Sequence, residues 1–166
     1  MNRNNFIKNA MGGIILAGAA PSSLFSQAPQ EPKPLSIKLV KEFVVAGHKN
    51  LSRVKEMLHE HPNLIYSSYD WGNSDYEEAI EGAAHLGNKE IAEYLISQGA
   101  RVNLFTLTML GKTDLVKPTL EAYPELLHAK GPHGFTLLHH ANVGNAVKLQ
   151  DYLMENGLRE TQLPMR

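Results

Sequence analysis

Internal repetition is the feature that most constrains this chain, because segments recurring every few dozen residues build stacked arrays rather than one closed core. The stretch Val54-Lys55-Glu56-Met57-Leu58-His59-Glu60-His61-Pro62-Asn63-Leu64-Ile65 aligns with Val116-Lys117-Pro118-Thr119-Leu120-Glu121-Ala122-Tyr123-Pro124-Glu125-Leu126-Leu127 at a constant offset of 62. A second pair, Glu93 to Gly99 and Asp151 to Gly157, aligns at an offset of 58. Within these blocks apolar residues recur at i, i+3 and i+4: Val54, Met57, Leu58; Ile91, Tyr94, Leu95; Val116, Thr119, Leu120; Leu149, Tyr152, Leu153. That spacing places each set on one helix face, to be buried against a neighbouring repeat. Gly47, Gly87, Gly111 and Gly144 are expected to separate the two helices of each unit, where a helix end favours a residue tolerant of positive φ.

Two segments carry a family likeness. Gly87-Asn88-Lys89-Glu90-Ile91-Ala92-Glu93-Tyr94-Leu95-Ile96-Ser97-Gln98-Gly99-Ala100-Arg101-Val102-Asn103 is close to the second half of an ankyrin repeat. Gly134-Phe135-Thr136-Leu137-Leu138-His139-His140-Ala141 resembles the G-x-T-P-L-H-x-A signature of that family, with Leu137 in the proline position. The resemblance implies an all-α, ankyrin-type solenoid of about four helix-turn-helix repeats over residues 37–158, with hairpin fingers projecting from one edge. Only 24 residues separate Gly87 from Gly111, against about 33 in the family repeat. The third repeat is therefore expected to lack its finger. Pro118 falls in the second turn of the third repeat's second helix, where it removes a backbone hydrogen bond and can kink the helix.

The chain has 16 Lys and Arg against 17 Asp and Glu and no run of like charge, so nothing resembles a nucleic-acid footprint. It has no Cys, which excludes disulfides and thiolate metal sites. Residues 1–28 have the form of a signal peptide: Arg3 and Lys8 precede an apolar stretch from Ala10 to Ala20, followed by small-residue cleavage candidates at Ala17-Gly18-Ala19 and Ser26-Gln27-Ala28. The start resembles a twin-arginine export motif with Asn4 replacing the second arginine, which leaves the general secretory route open. A Pro-rich spacer, residues 29–36, follows, and residues 159–166 are expected to form a tail. The expected location is periplasmic or secreted, with no membrane span in the mature form.

Candidate chemistry is sparse. Four of eight histidines, His128, His133, His139 and His140, lie close in sequence. Adjacent ring positions on a helix diverge, however, and no four-ligand set at zinc-like spacing is visible. In the ankyrin resemblance, His139 is a structural imidazole bonding neighbouring turns. Asp70 to Asp75 superficially resembles a calcium loop but has Gly72 where a carboxylate is needed, and no Glu stands at the twelfth position. No serine nucleophile context occurs. Glu77 and Glu81, at i and i+4, would share a helix face. The sequence thus predicts no enzyme, no cofactor and no metal.

The stronger signal is aromatic: Tyr66, Tyr69, Trp71 and Tyr76 fall in eleven residues of the long connection between repeats one and two. They are either anchors for a partner, since Tyr and Trp supply large rigid contact area, or a cover over the apolar edge of repeat one. The expectation is a monomeric scaffold for an unknown protein partner. Tyr66, Tyr69, Trp71 and Tyr76 would be its anchors, Glu77, Glu78 and Glu81 an acidic rim suited to Lys or Arg, and His133 a finger-tip contact. Two alternatives are an accessory subunit of a co-exported enzyme and a His-based metal-binding protein.

Overall fold

The structure, a computed structural model, describes residues 33–165; the expected signal peptide and the first part of the spacer lie outside the described residues. The described part contains eight α-helices: α1 (Ile37–Lys49), α2 (Leu51–Glu60), α3 (Ala79–His85), α4 (Lys89–Ser97), α5 (Leu104–Met109), α6 (Thr113–Ala122), α7 (Leu137–Val143) and α8 (Val147–Glu155). Each odd-numbered helix packs on the even-numbered helix that follows it, and α1, α3, α5 and α7 pack in a row. This is the ankyrin-type arrangement of four helix pairs. None of these helices is long and apolar enough to cross a membrane.

Helix starts are fixed by short polar side chains. Asn50, Asn88, Asn103 and Thr136 each accept a backbone N–H three residues on, at the heads of α2, α4, α5 and α7. Such caps satisfy donors that the first helical turn leaves open. The repeat faces are buried as their spacing requires: Val54, Met57, Ile91, Leu95, Val116, Leu120, Leu149 and Leu153 are all closed to solvent. They divide between two clusters, one running from Val40 to Met109 and the other from Val116 to Leu158.

Two local expectations are corrected. Gly47 is not a turn residue; it lies inside α1, where a Cβ would come within 2.3 Å of the Ala79 carbonyl oxygen. Its lack of a side chain lets α1 and α3 approach closely. Gly87 and Gly111 do take positive φ, but in the fourth repeat Gly144 has φ −83° and Asn145 occupies the left-handed region at 50°. Pro118 lies within its helix as expected, and α6 runs through it. Pro118 is exposed, so its ring meets water rather than packed neighbours.

The fingers place the site. Between α2 and α3 a two-stranded antiparallel hairpin, β1 (Ser68–Asp70) with β2 (Tyr76–Glu78), pairs Tyr69 with Glu77. Between α4 and α5 only residues 98–103 intervene and form no strand, so the third finger is missing. The finger before α7, which contains the short 3-10 turn Pro132–Gly134, therefore reaches the hairpin directly. For the same reason α3 contacts α7 across the array. Residues 159–165 are not a detached tail. Thr136 donates its backbone N–H to Thr161 O and its hydroxyl to Glu160 O, and Leu163 N–H bonds Gly134 O, stitching the C-terminal segment to this finger.

Candidate functional site

Where the two fingers meet, four side chains from separate segments converge. His48 comes from the end of α1, Glu77 from β2, His85 from the last position of α3 and His133 from the second finger. One ligand-type atom from each lies within 4.8 Å of the other three. Glu77 is at the centre, with its side chain fully closed to solvent. Its Oε1 is 3.4 Å from His48 Nε2, 3.2 Å from His85 Nδ1 and 3.6 Å from His133 Nε2. The other oxygen, Oε2, accepts the Trp71 indole N–H at 2.8 Å.

The surroundings orient these groups. His48 Nδ1 donates to Val44 O at 2.9 Å, across one turn of α1. The His48 ring lies over Gly82, where a Cβ would come within 2.7 Å of Nδ1. His133 Nδ1 donates to Asp75 Oδ2 at 2.7 Å, and the His133 backbone N–H donates to Asp75 Oδ1 at 2.8 Å. This two-point grip holds His133 in the left-handed region, φ 58°, which a non-glycine residue seldom enters. Burial holds the Glu77 carboxyl above its usual range. Burial, reinforced by the neighbouring His48 and His133 rings, lowers His85 to about 3, so its ring is neutral at pH 7. Neither Glu77 Oε1 nor His85 Nδ1 has a hydrogen-bond partner.

Across the array, His139 Nε2 donates to the His85 carbonyl at 2.8 Å and stacks on Phe135 at 4.0 Å, tying the fourth repeat to the second. The chain matches the family model for the ankyrin repeat over residues 82–107. That match runs from the second half of α3 through α4 into α5.

Residues 82–107 are similar to an ankyrin repeat, and they sit within four helix pairs of ankyrin-type arrangement.

No curated protein matches the chain. Ankyrin repeats suggest a protein-protein interaction scaffold.

On the ankyrin frame the expected site residues separate. Tyr66 and Tyr76 are the most exposed of the aromatic set, at 51% and 58%. The Arg101 guanidinium lies over the Tyr66 ring at 4.9 Å. Tyr69 is half-buried and meets Trp71 edge to face at 4.7 Å. Trp71 shows an exposed edge while its N–H holds the buried carboxylate, so it is a cover as well as a surface residue.

The acidic rim is a correction. Glu77 lies on a strand, not on a helix face shared with Glu81, and is buried. Glu78 is half-buried at the head of α3. Glu81 turns inward, where Oε2 accepts the Glu78 N–H at 2.7 Å and Oε1 accepts the Asn103 amide at 2.6 Å. Burial raises the Glu81 carboxyl to about 7. Glu81 thus closes the head of α3, whereas Glu77 is held inward by the Trp71 indole among the three histidines.

His133 sits at the finger but points back into the cluster. His48, Asp75 and His85 carried no sequence signal as site residues, because their neighbours in space are distant in the chain. Sequence spacing groups the histidines near His133, and His48 and His85 lie too far away in the chain for any local spacing to join them to it.

Proposed function

We propose that this protein is an exported scaffold that binds one partner protein at the groove beside its first finger. Val45, Leu86 and Trp71, exposed at 50%, 51% and 37%, line a single groove with His48, Lys49 and His133. That grouping carries the reading, since scattered apolar residues are ordinary whereas a contiguous patch marks a contact surface. Tyr66 and Tyr76 are also exposed but lie outside the lining of this groove.

The free charge beside the groove is positive. Lys49 lines it, and Lys41 sits over the Tyr69 and Trp71 rings at 5.3 and 5.4 Å. Glu77 and Glu81 are turned inward and the groove lining carries Lys49, so it suits a partner that presents Asp or Glu beside an apolar segment, not one rich in Lys or Arg. The charged start and short apolar stretch of residues 1–28 support export.

Fractionating cells and sequencing the mature N-terminus tests export; intact Met1 in the cytoplasm would overturn it. For the surface, the mature domain is cross-linked in cell-envelope extract and the captured protein identified, then titrated against wild type and Leu86→Glu. A tenfold or greater loss of affinity with an unchanged melting curve supports the groove. Equal affinity rejects it.

A further inference from the structure

We propose that His48, Glu77, His85 and His133 form a binding site for one divalent transition-metal ion, with Zn2+ the best fit, that clamps the first finger to the second. This site is independent of the scaffold reading and stands or falls without a partner.

The donor set is the first argument. Three imidazoles and a carboxylate are a ligand combination that suits zinc and its neighbours. At metal-ligand bonds of about 2.0 to 2.1 Å, the edge of a tetrahedron is about 3.3 Å. The three edges from Glu77 Oε1 measure 3.2, 3.4 and 3.6 Å. The widest separation in the set, up to 4.8 Å, exceeds the roughly 4.2 Å that two ligands on opposite sides of such an ion can span. Binding therefore draws these atoms together by half an ångström or more. The partly exposed His48 and His133 are free to make that movement, having side-chain exposures of 20% and 31%.

The second argument is the direction of the lone pairs. His48 and His133 each donate from Nδ1, to Val44 O and Asp75 respectively. Their neutral tautomers, assigned from these bonds, therefore turn an Nε2 lone pair toward Glu77 Oε1. Glu77 Oε1 and His85 Nδ1 are buried without a hydrogen-bond partner. A cation at the centre satisfies all four atoms at once.

The third argument is the surrounding shell. Metal-bound histidines typically donate their other ring nitrogen to a carboxylate or carbonyl, which sets the tautomer and orientation. Asp75 does this for His133 and Val44 for His48, while Trp71 fixes the second oxygen of Glu77. The groove lined by Val45, Leu86, His48 and His133 gives an ion a path from solvent.

The test uses the mature protein stripped with chelator, then exposed to Zn2+ and desalted. Elemental analysis should find one zinc per chain, and Co2+ in its place should give the intense visible absorption of a tetrahedral site. Zn2+ should raise the melting temperature of wild type. His133→Ala and His48→Ala, at partly exposed positions, should fold by circular dichroism, lose the cobalt spectrum and weaken zinc binding at least 100-fold. Asp75→Asn, which alters only the support of His133, should keep one ion per chain but bind it about 10- to 100-fold more weakly. Wild type that retains no zinc would overturn the proposal and leave the cluster a set of protons shared with Glu77. Folded His133→Ala and His48→Ala that bind as tightly as wild type would also overturn it, placing any zinc on histidines elsewhere.

Discussion

At the scale of single residues, Trp71 and Tyr66 look alike in sequence but have different neighbours. Trp71 supplies the hydrogen bond to Glu77 Oε2, whereas Tyr66 lies half-exposed under Arg101. Trp71→Phe keeps most of the ring and removes the donor, so it should cost about 1.5 to 3 kcal/mol in the metal-free protein. Tyr66→Ala should change stability by about 0.5 kcal/mol or less. Urea midpoints of the two variants check this, and equal midpoints would show that the indole N–H contributes nothing. His140 provides a pH prediction. It is fully buried, its Nδ1 donates to Thr136 O at 2.7 Å, and burial lowers its ring to about 4. The unfolded chain takes up that proton near 6.5, before the folded protein does. Stability present above about pH 6.5 is therefore lost as pH falls toward 4, by up to about 1.4 kcal/mol per pH unit. In His140→Gln this part of the slope should vanish, leaving that of His85, which has the same sign, and that of the raised Glu77, Glu78 and Glu81 carboxyls, which has the opposite sign. Denaturation at several pH values in the window measures it, and an unchanged slope would contradict the assignment.

At the scale of elements, the repeat alignment makes Leu95 in α4 and Leu153 in α8 equivalent, and both are buried, at 1% and 0% exposure. Leu95→Ala and Leu153→Ala should each cost about 2 to 5 kcal/mol. A terminal repeat is ordinarily covered on one side only, which would favour a smaller loss at Leu153. Leu158, itself buried in the same cluster, adds cover there, so the two losses should be similar. A near-zero loss at either position by denaturant unfolding would break the equivalence. Pro118 gives the opposite sign. It is exposed within a continuous α6, and a proline inside a helix costs about 3 kcal/mol relative to alanine. Pro118→Ala should raise stability by about 1 to 3 kcal/mol, measured by the same unfolding curves. The helix pairs and their buried faces were legible in the sequence because a 3.6-residue period is a local property. The end of α1 was not, because Gly47 signals a turn by composition and its actual role depends on contact with Ala79.

At the scale of the whole molecule, the missing third finger has the largest consequence. Its loss lets the finger before α7 meet the first hairpin, and the C-terminal segment then closes over that finger through Thr136, Gly134 and Leu163. Removing residues 159–166 should leave the Thr136 N–H and hydroxyl without partners and destabilise the protein by about 2 kcal/mol or more. It should also free His133 from its place beside Glu77, weakening zinc uptake. Thermal unfolding and elemental analysis of the truncated chain check both effects. The sequence by itself determined the helical repeats, their number and the shortened third unit, since each rests on periodicity and chain length between glycines. Only the tertiary structure decided that His48, Glu77, His85 and His133 meet, and that Glu77 and Glu81 turn inward. Those four ligand residues span 85 positions, and their encounter depends on how one repeat stacks on another, which no local spacing records.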